Sequence, residues 1–211
     1  GSGAGAGALT ATASGLTAVG TSAGAAVTSG AKNTAVGFGA GTALTTSDNN
    51  VVMGYNALYR ATTESDDNVV IGYNAMSGNF TTAVVNDCVA IGSGALAGTL
   101  TADATGTTVV GTSAGAAITS GQQNTAIGFE ALDANVIGDN NTAVGYQALS
   151  AFVADTDAHG YNTAVGWTAG ALSVAGTSNT FIGAEAAAGA NVAGDGNTAV
   201  GKKTLYDLAG G

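Results

Sequence analysis

A glycine preceded by a large aliphatic residue recurs at positions 20, 37, 54, 72, 92, 111, 128, 145, 166, 183 and 201. The intervals are 17, 17, 18, 20, 19, 17, 17, 21, 17 and 18 residues, so a 17-residue unit with small insertions tiles the chain eleven times. A fixed period of this size marks a repeat architecture, in which one unit is too small to enclose a core and must stack on its neighbours. No linker or composition shift interrupts the series, so residues 1–211 read as a single repeat domain.

The residue before the glycine is Val19, Val36, Met53, Ile71, Ile91, Val110, Ile127, Val144, Val165, Ile182 or Val200. Two residues earlier stands Thr or Val, from Thr17 and Thr34 through Val51, Val69 and Val89 to Thr198, and the position between is mostly Ala. Alternation with period two belongs to a β-strand, and Thr and Val suit its pleated surface, so each unit opens with a short strand. On size alone, the aliphatic residue before the glycine is expected to face the core. Three residues after the glycine comes Ala in ten units, from Ala23 and Ala40 to Ala186, with Thr204 the exception. A small residue held there predicts close backbone approach, between coils or across a subunit interface. The residue directly after the glycine varies (Tyr55, Phe129, Trp167, Lys202), which suits an outward position where aromatics stack along one face.

Four residues before the glycine, eight of eleven units carry Asn: Asn33, Asn50, Asn68, Asn124, Asn141, Asn162, Asn179 and Asn197. Stacked at one corner these predict a ladder, because Asn tolerates left-handed turns and its amide reaches the copies above and below. Leu16, Cys88 and Thr107 fill the slot elsewhere, so Cys88 reads as a substituted ladder residue. Residues Val19–Ala57 laid on Val110–Ala148, at an offset of 91, match at 24 of 39 positions, which marks a duplicated five-unit block. Duplication of a whole block lengthens a rod.

The expected fold is therefore all-β, a parallel β-solenoid of about eleven coils of 17–21 residues with two or three short strands per coil. At about 4.8 Å per coil it would be roughly 50 Å long. The absence of proline agrees, since each coil must donate its ladder N–H groups. With 35 glycines and 6% aromatics the chain has few large side chains for a thick core, but its Val, Ile and Thr argue for order over disorder.

The units read Asn-Thr-Ala-Val-Gly-(Tyr/Phe/Trp)-x-Ala, clearest from Asn141 to Ala148. This resembles the Asn-Ser-Val-Ala-Ile-Gly repeat of YadA-like heads in trimeric autotransporter adhesins. It is still more similar to the Asn-Thr-Ala-x-Gly-Tyr-x-Ala-Leu repeats of phage tail-fibre-like proteins. The resemblance covers nearly the whole chain and implies a left-handed parallel β-roll, assembled as a homotrimer on a cell or virion surface and used for attachment. The adhesin head unit is shorter than this one, which puts the same coil cross-section in doubt.

Charge and chemistry narrow the function. A net charge of −10, with only Lys32, Arg60, Lys202 and Lys203 basic, lacks the footprint of nucleic-acid or anionic-membrane binding. There is no apolar run long enough to insert in a membrane, and one cysteine excludes an internal disulfide framework. His159 is the only histidine, so no paired imidazole site can form within one chain, and the 14 scattered acids supply no evident catalytic carboxylate pair. The expectation is no enzyme and no cofactor. Asp48-Asn49-Asn50, Asp139-Asn140-Asn141 and Asp195-Gly196-Asn197 are read as hydrogen-bonded turns in preference to Ca²⁺ ligands, because the glycine-rich calcium β-roll pattern is missing.

Binding specificity is expected where the surface departs from the repeat. The candidates are Asp155, Asp157, His159 and Tyr161 in the longest insertion, and Asn79 and Phe80 in the segment from Ser77 to Asp87. The leading expectation is an extracellular fibre segment on a virion or cell surface, its partners further copies of itself and a host glycan or surface protein. The alternative is a self-assembling filament or sheath subunit. An ice-binding surface would use Thr17, Thr34, Thr108, Thr125, Thr142, Thr163, Thr180 and Thr198, and counts for less because their parity matches the aliphatic residues assigned to the core.

Overall fold

The computed structural model describes residues 1–7, 9–10, 13–61, 64–79, 83–101, 104–154, 160–173, 175–189, 192 and 194–206. Eleven three-residue strands follow one another: β1 (Thr17–Val19), β2 (Thr34–Val36), β3 (Val51–Met53), β4 (Val69–Ile71), β5 (Val89–Ile91), β6 (Thr108–Val110), β7 (Thr125–Ile127), β8 (Thr142–Val144), β9 (Thr163–Val165), β10 (Thr180–Ile182) and β11 (Thr198–Val200). They form one parallel sheet in strict sequence order, and every strand pairs in register with the equivalent residues of the next. The chain is thus a β-solenoid whose strands recur once per repeat, with no helix among the described residues.

Each described coil has one strand, not the two or three expected. The remaining residues still bond from coil to coil: Leu58 N–H donates to Ala75 O at 3.0 Å and Thr28 N–H to Thr45 O at 2.8 Å. They miss strand geometry because the chain turns too often. Left-handed residues stand before the ladder slot (Lys32, Asn49, Asp67) and at the second and fourth places after the glycine (Asn56 and Leu58, Glu130 and Leu132). The left-handed corner therefore belongs to the residue before each ladder Asn, and the ladder Asn itself keeps negative φ.

The alternation in the strands is as expected, but its parity is the reverse. The middle residue of β2 to β11 faces the core: Ala35, Val52, Val70, Ala90, Val109, Ala126, Ala143, Ala164, Phe181 and Ala199 are all buried. The aliphatic residue before the glycine faces outward, with Val19 56%, Ile127 40% and Val200 61% exposed. A one-residue change of register moves every side chain of a strand to the other face, so the error is all or none. The physical reason is the thinness of the coil. Against the middle residue of the strand lies the fourth residue after the glycine, Gly41 beside Ala35 and Gly115 beside Val109, and the alanines three places after the glycine, Ala23, Ala40, Ala57 and their equivalents, are fully buried in the core of the same chain. Those alanines pack coil on coil within one chain, which decides against a subunit interface there.

The large ring of Phe181 fits because a neighbour gives way. Gly170, left-handed at φ +63°, lies under Phe181, and a Cβ there would come within 2.7 Å of the Phe181 ring and 2.9 Å of Leu149. The recurrent glycine is tighter still. Gly145 has φ +138°, and its missing Cβ would run into the carbonyl oxygen of Gly166 in the next coil. Gly145→Ala combines backbone strain with a backbone clash, and is expected to cost about 3 kcal/mol or more of stability in urea denaturation.

Candidate functional site

Three parallel files of side chains make the outer face of the sheet. The first is the Thr/Val file from Thr17 to Thr198, the second the aliphatic file from Val19 to Val200. Within a strand these files stand about 6.6 Å apart, and copies repeat about every 4.8 Å along the rod. The third lies just past the glycine and holds the aromatic residues, as expected. Phe38, Tyr55 and Tyr73 stack with centroids 5.3 Å apart, and Phe129, Tyr146 and Trp167 at 5.4 and 6.4 Å. Lys202 is the only charged residue in the three files. Charges stand instead at the flanking corners, Lys32, Asp67 and Asp87 on one side and Glu130, Glu185 and Lys203 on the other.

Behind this face runs the asparagine ladder, which holds the first residue of each strand in place. Asn141 accepts at Oδ1 from the backbone N–H of Asn162 at 3.1 Å and from its Nδ2 at 3.1 Å. It donates from its own Nδ2 to Asn124 Oδ1 at 3.1 Å. The pattern runs from Asn33 through Asn50 and Asn68, and from Asn124 through Asn141, Asn162 and Asn179 to Asn197. Cys88 occupies the ladder slot between the two runs, its N–H on Asn68 Oδ1 at 3.0 Å and its thiol donating to Ala104 O at 3.2 Å. Burial pushes the thiol pKa up to about 11, opposed by its backbone hydrogen bond, so the group is a neutral structural side chain at pH 7.

The aspartates beside the ladder are structural as well. Asp48, Asp66, Asp139 and Asp195 each accept the N–H of the equivalent residue one coil earlier, at 2.6 to 2.8 Å. Asp48, Asp139 and Asp195 open the three triplets read as hydrogen-bonded turns, and these bonds run from coil to coil. Among the described residues no group of three or more His, Cys, Asp or Glu is placed to hold a metal ion.

No protein-family model, curated protein or solved structure matches this chain. The functional reading therefore rests on the geometry.

Of the loop candidates, Phe80, Asp155, Asp157 and His159 lie outside the described residues. Asn79 is exposed. Tyr161 is exposed too, but it sits at the regular left-handed corner, φ +60°, with its N–H on Asp139 O at 3.0 Å. It belongs to the repeat and not to the insertion. Two features escaped the sequence reading. One is the outward aliphatic file, hidden by the reversed parity. The other is an open basin of about 290 Å³ lined by Asn56, Tyr59, Arg60, Asn74 and Ser77.

Proposed function

We propose that this chain is a rod-like segment of an extracellular fibre, on a virion or cell surface, whose outer sheet face packs against further copies of itself around a common axis. The observation that carries the reading is the uncharged aliphatic file, solvent-facing along all eleven strands. An apolar surface this continuous is rare on a protein that stays alone. Two outward positions on each of 11 strands give 22 side chains, within the roughly 20–30 residues a side of a stable interface. The charged corners on both flanks supply the polar rim. A rod with few ionisable groups inside its coils suits a spacer better than a catalyst. The resemblance to adhesin heads and tail fibres favours three chains. Native mass measurement is expected to give a trimer, and a strictly monomeric particle at micromolar concentration overturns this reading. Long filaments in electron micrographs would move it to the filament alternative.

One observation favours a second reading, a surface that orders water and binds ice. The argument against it assumed a core-facing Thr file, yet Thr108, Thr125, Thr142, Thr163 and Thr180 lie on the outward side of their strands. Regularly spaced hydroxyl and methyl groups at the two strand repeats are the feature such a surface needs. The two readings compete for one face, because assembly buries what ice must touch. Thermal hysteresis by a monomer supports ice binding, and a trimer without hysteresis supports the fibre.

A further inference from the structure

We infer that the basin of Asn56, Tyr59, Arg60, Asn74 and Ser77 is a binding site for an acidic sugar, a single pyranose carrying a carboxylate. The inference deepens the attachment role proposed above and rests on it for its biological sense, though not for its chemistry. At about 290 Å³ the basin lies at the small end of ligand sites, which suits one sugar ring.

The lining supplies the three kinds of contact a sugar acid needs. Arg60 is exposed and is the only arginine of a chain with net charge −10, and none of the ion pairs among the described residues uses it. A free guanidinium offers paired donors that match a carboxylate. Tyr59, 37% exposed, presents a ring against which the C–H face of a pyranose can lie. Asn56 and Asn74 hold equivalent places in successive coils, both left-handed at φ +51°, so their carboxamides stand about one coil spacing, 4.8 Å, apart. Their backbones are fixed by N–H bonds to Phe38 O and Tyr55 O, each 2.9 Å. Asn56 Oδ1 is buried against Gly39 of the preceding coil and has no hydrogen-bond partner, so it is not offered to the basin, and this carboxamide contributes there through Nδ2. Two amides and the Ser77 hydroxyl give donors and acceptors for neighbouring sugar hydroxyls.

The duplicated block acts as an internal control. Just past the matched block, Tyr59 corresponds to Ser150 and Arg60 to Ala151, and within it Asn56 corresponds to Gln147, while Gly54, Tyr55 and Ala57 recur as Gly145, Tyr146 and Ala148. The copy builds the same solenoid without the ring or the guanidinium, so the fold does not require them. Side chains that a rod can dispense with, gathered in one basin around an exposed guanidinium, are best explained by a ligand.

The test uses the assembled full chain and the variants Arg60→Ala and Tyr59→Ser, which install the residues of the duplicate. Titration of glucuronate and N-acetylneuraminate by calorimetry or ligand-observed NMR is expected to show millimolar binding to the wild type, with glucose at least about tenfold weaker. Arg60→Ala is expected to lower affinity for the acids about tenfold or more, the loss of one charge-assisted contact. Tyr59→Ser should weaken acidic and neutral sugars alike. The inference fails if the wild type binds neither acid, if glucose binds as well as the acids, or if Arg60→Ala binds them as tightly as the wild type. Inorganic sulfate binding equal to that of the acids also overturns it, since a bare anion site needs no sugar. Native mass of the same variants separates this from the fibre reading, because neither residue lies in the outward files.

Discussion

Ile127→Lys combined with Val144→Lys is expected to leave the rod folded and to abolish its assembly. Both side chains point outward from the centre of the sheet, in β7 and β8. In a free chain they meet water, and substitutions at such places cost within about 0.5 kcal/mol. In the proposed trimer the same positions would be sealed against a partner, where an unpaired ammonium costs about 3–5 kcal/mol. A loss of about 4 kcal/mol lowers association roughly a thousandfold, enough to turn a stable trimer into monomers at micromolar concentration. Sedimentation equilibrium reads the change, and circular dichroism with the urea midpoint shows that the monomer persists. Ala143→Lys is the matching control. It lies one residue away on the buried side, where the core of the coil has no room for it, and is expected to prevent folding. Were the aliphatic file the core, the outcomes would exchange, with Ala143→Lys tolerated and the double variant unfolded.

That control shows why the sequence disclosed the architecture and misassigned a face. The period, the strand after each Asn and the stacked aromatics all follow from repetition, because eleven copies of one pattern leave little room for a different fold. The facing of Thr-Ala-Val depends instead on the thickness of the coil, which no single unit states. Ranking Val above Ala as a core residue is sound for a thick domain and fails where the core is lined largely by small residues. A signal of the true parity is nevertheless present. Gly41 precedes Leu44 by three residues and Gly115 precedes Ile118, while Leu58 precedes Ala61, so in these units volume is traded between two positions after the glycine, although Leu149 and Phe152 are both large. Such compensation is a property of a core, and its location away from the aliphatic file marks where the core lies. The basin around Arg60 is legible only as a break in the pattern, since Tyr59 and Arg60 stand where most other units carry small residues.

Asn141→Ala is expected to cost about 3–5 kcal/mol, a large loss for the deletion of one buried polar side chain. The variant loses the Nδ2 bond to Asn124 and both bonds that Oδ1 accepts from Asn162. It leaves the Asn162 N–H without that acceptor in a buried site, and each such group costs about 1–3 kcal/mol. Coils contact only their neighbours, so the damage concentrates at β8 and β9, and hydrogen exchange of the Asn162 amide reads it directly. Asn141→Asp keeps the acceptor but turns a carboxylate toward Asn124 Oδ1, so its destabilisation grows as pH rises through the carboxyl titration. Thr107→Asn tests the ladder from the opposite side. Thr107 now reaches Gly121 O and receives Asn124 N–H at 3.4 Å each, long for hydrogen bonds. Asparagine in that slot is placed to donate to Gly121 O as Asn124 does to Gly138 O, at 2.8 Å, and to accept twice from Asn124. The expected gain is about 1 kcal/mol in urea denaturation. A loss of stability instead would mean that the ladder fits its slots through shape alone, and that the hydrogen bonds along it contribute little.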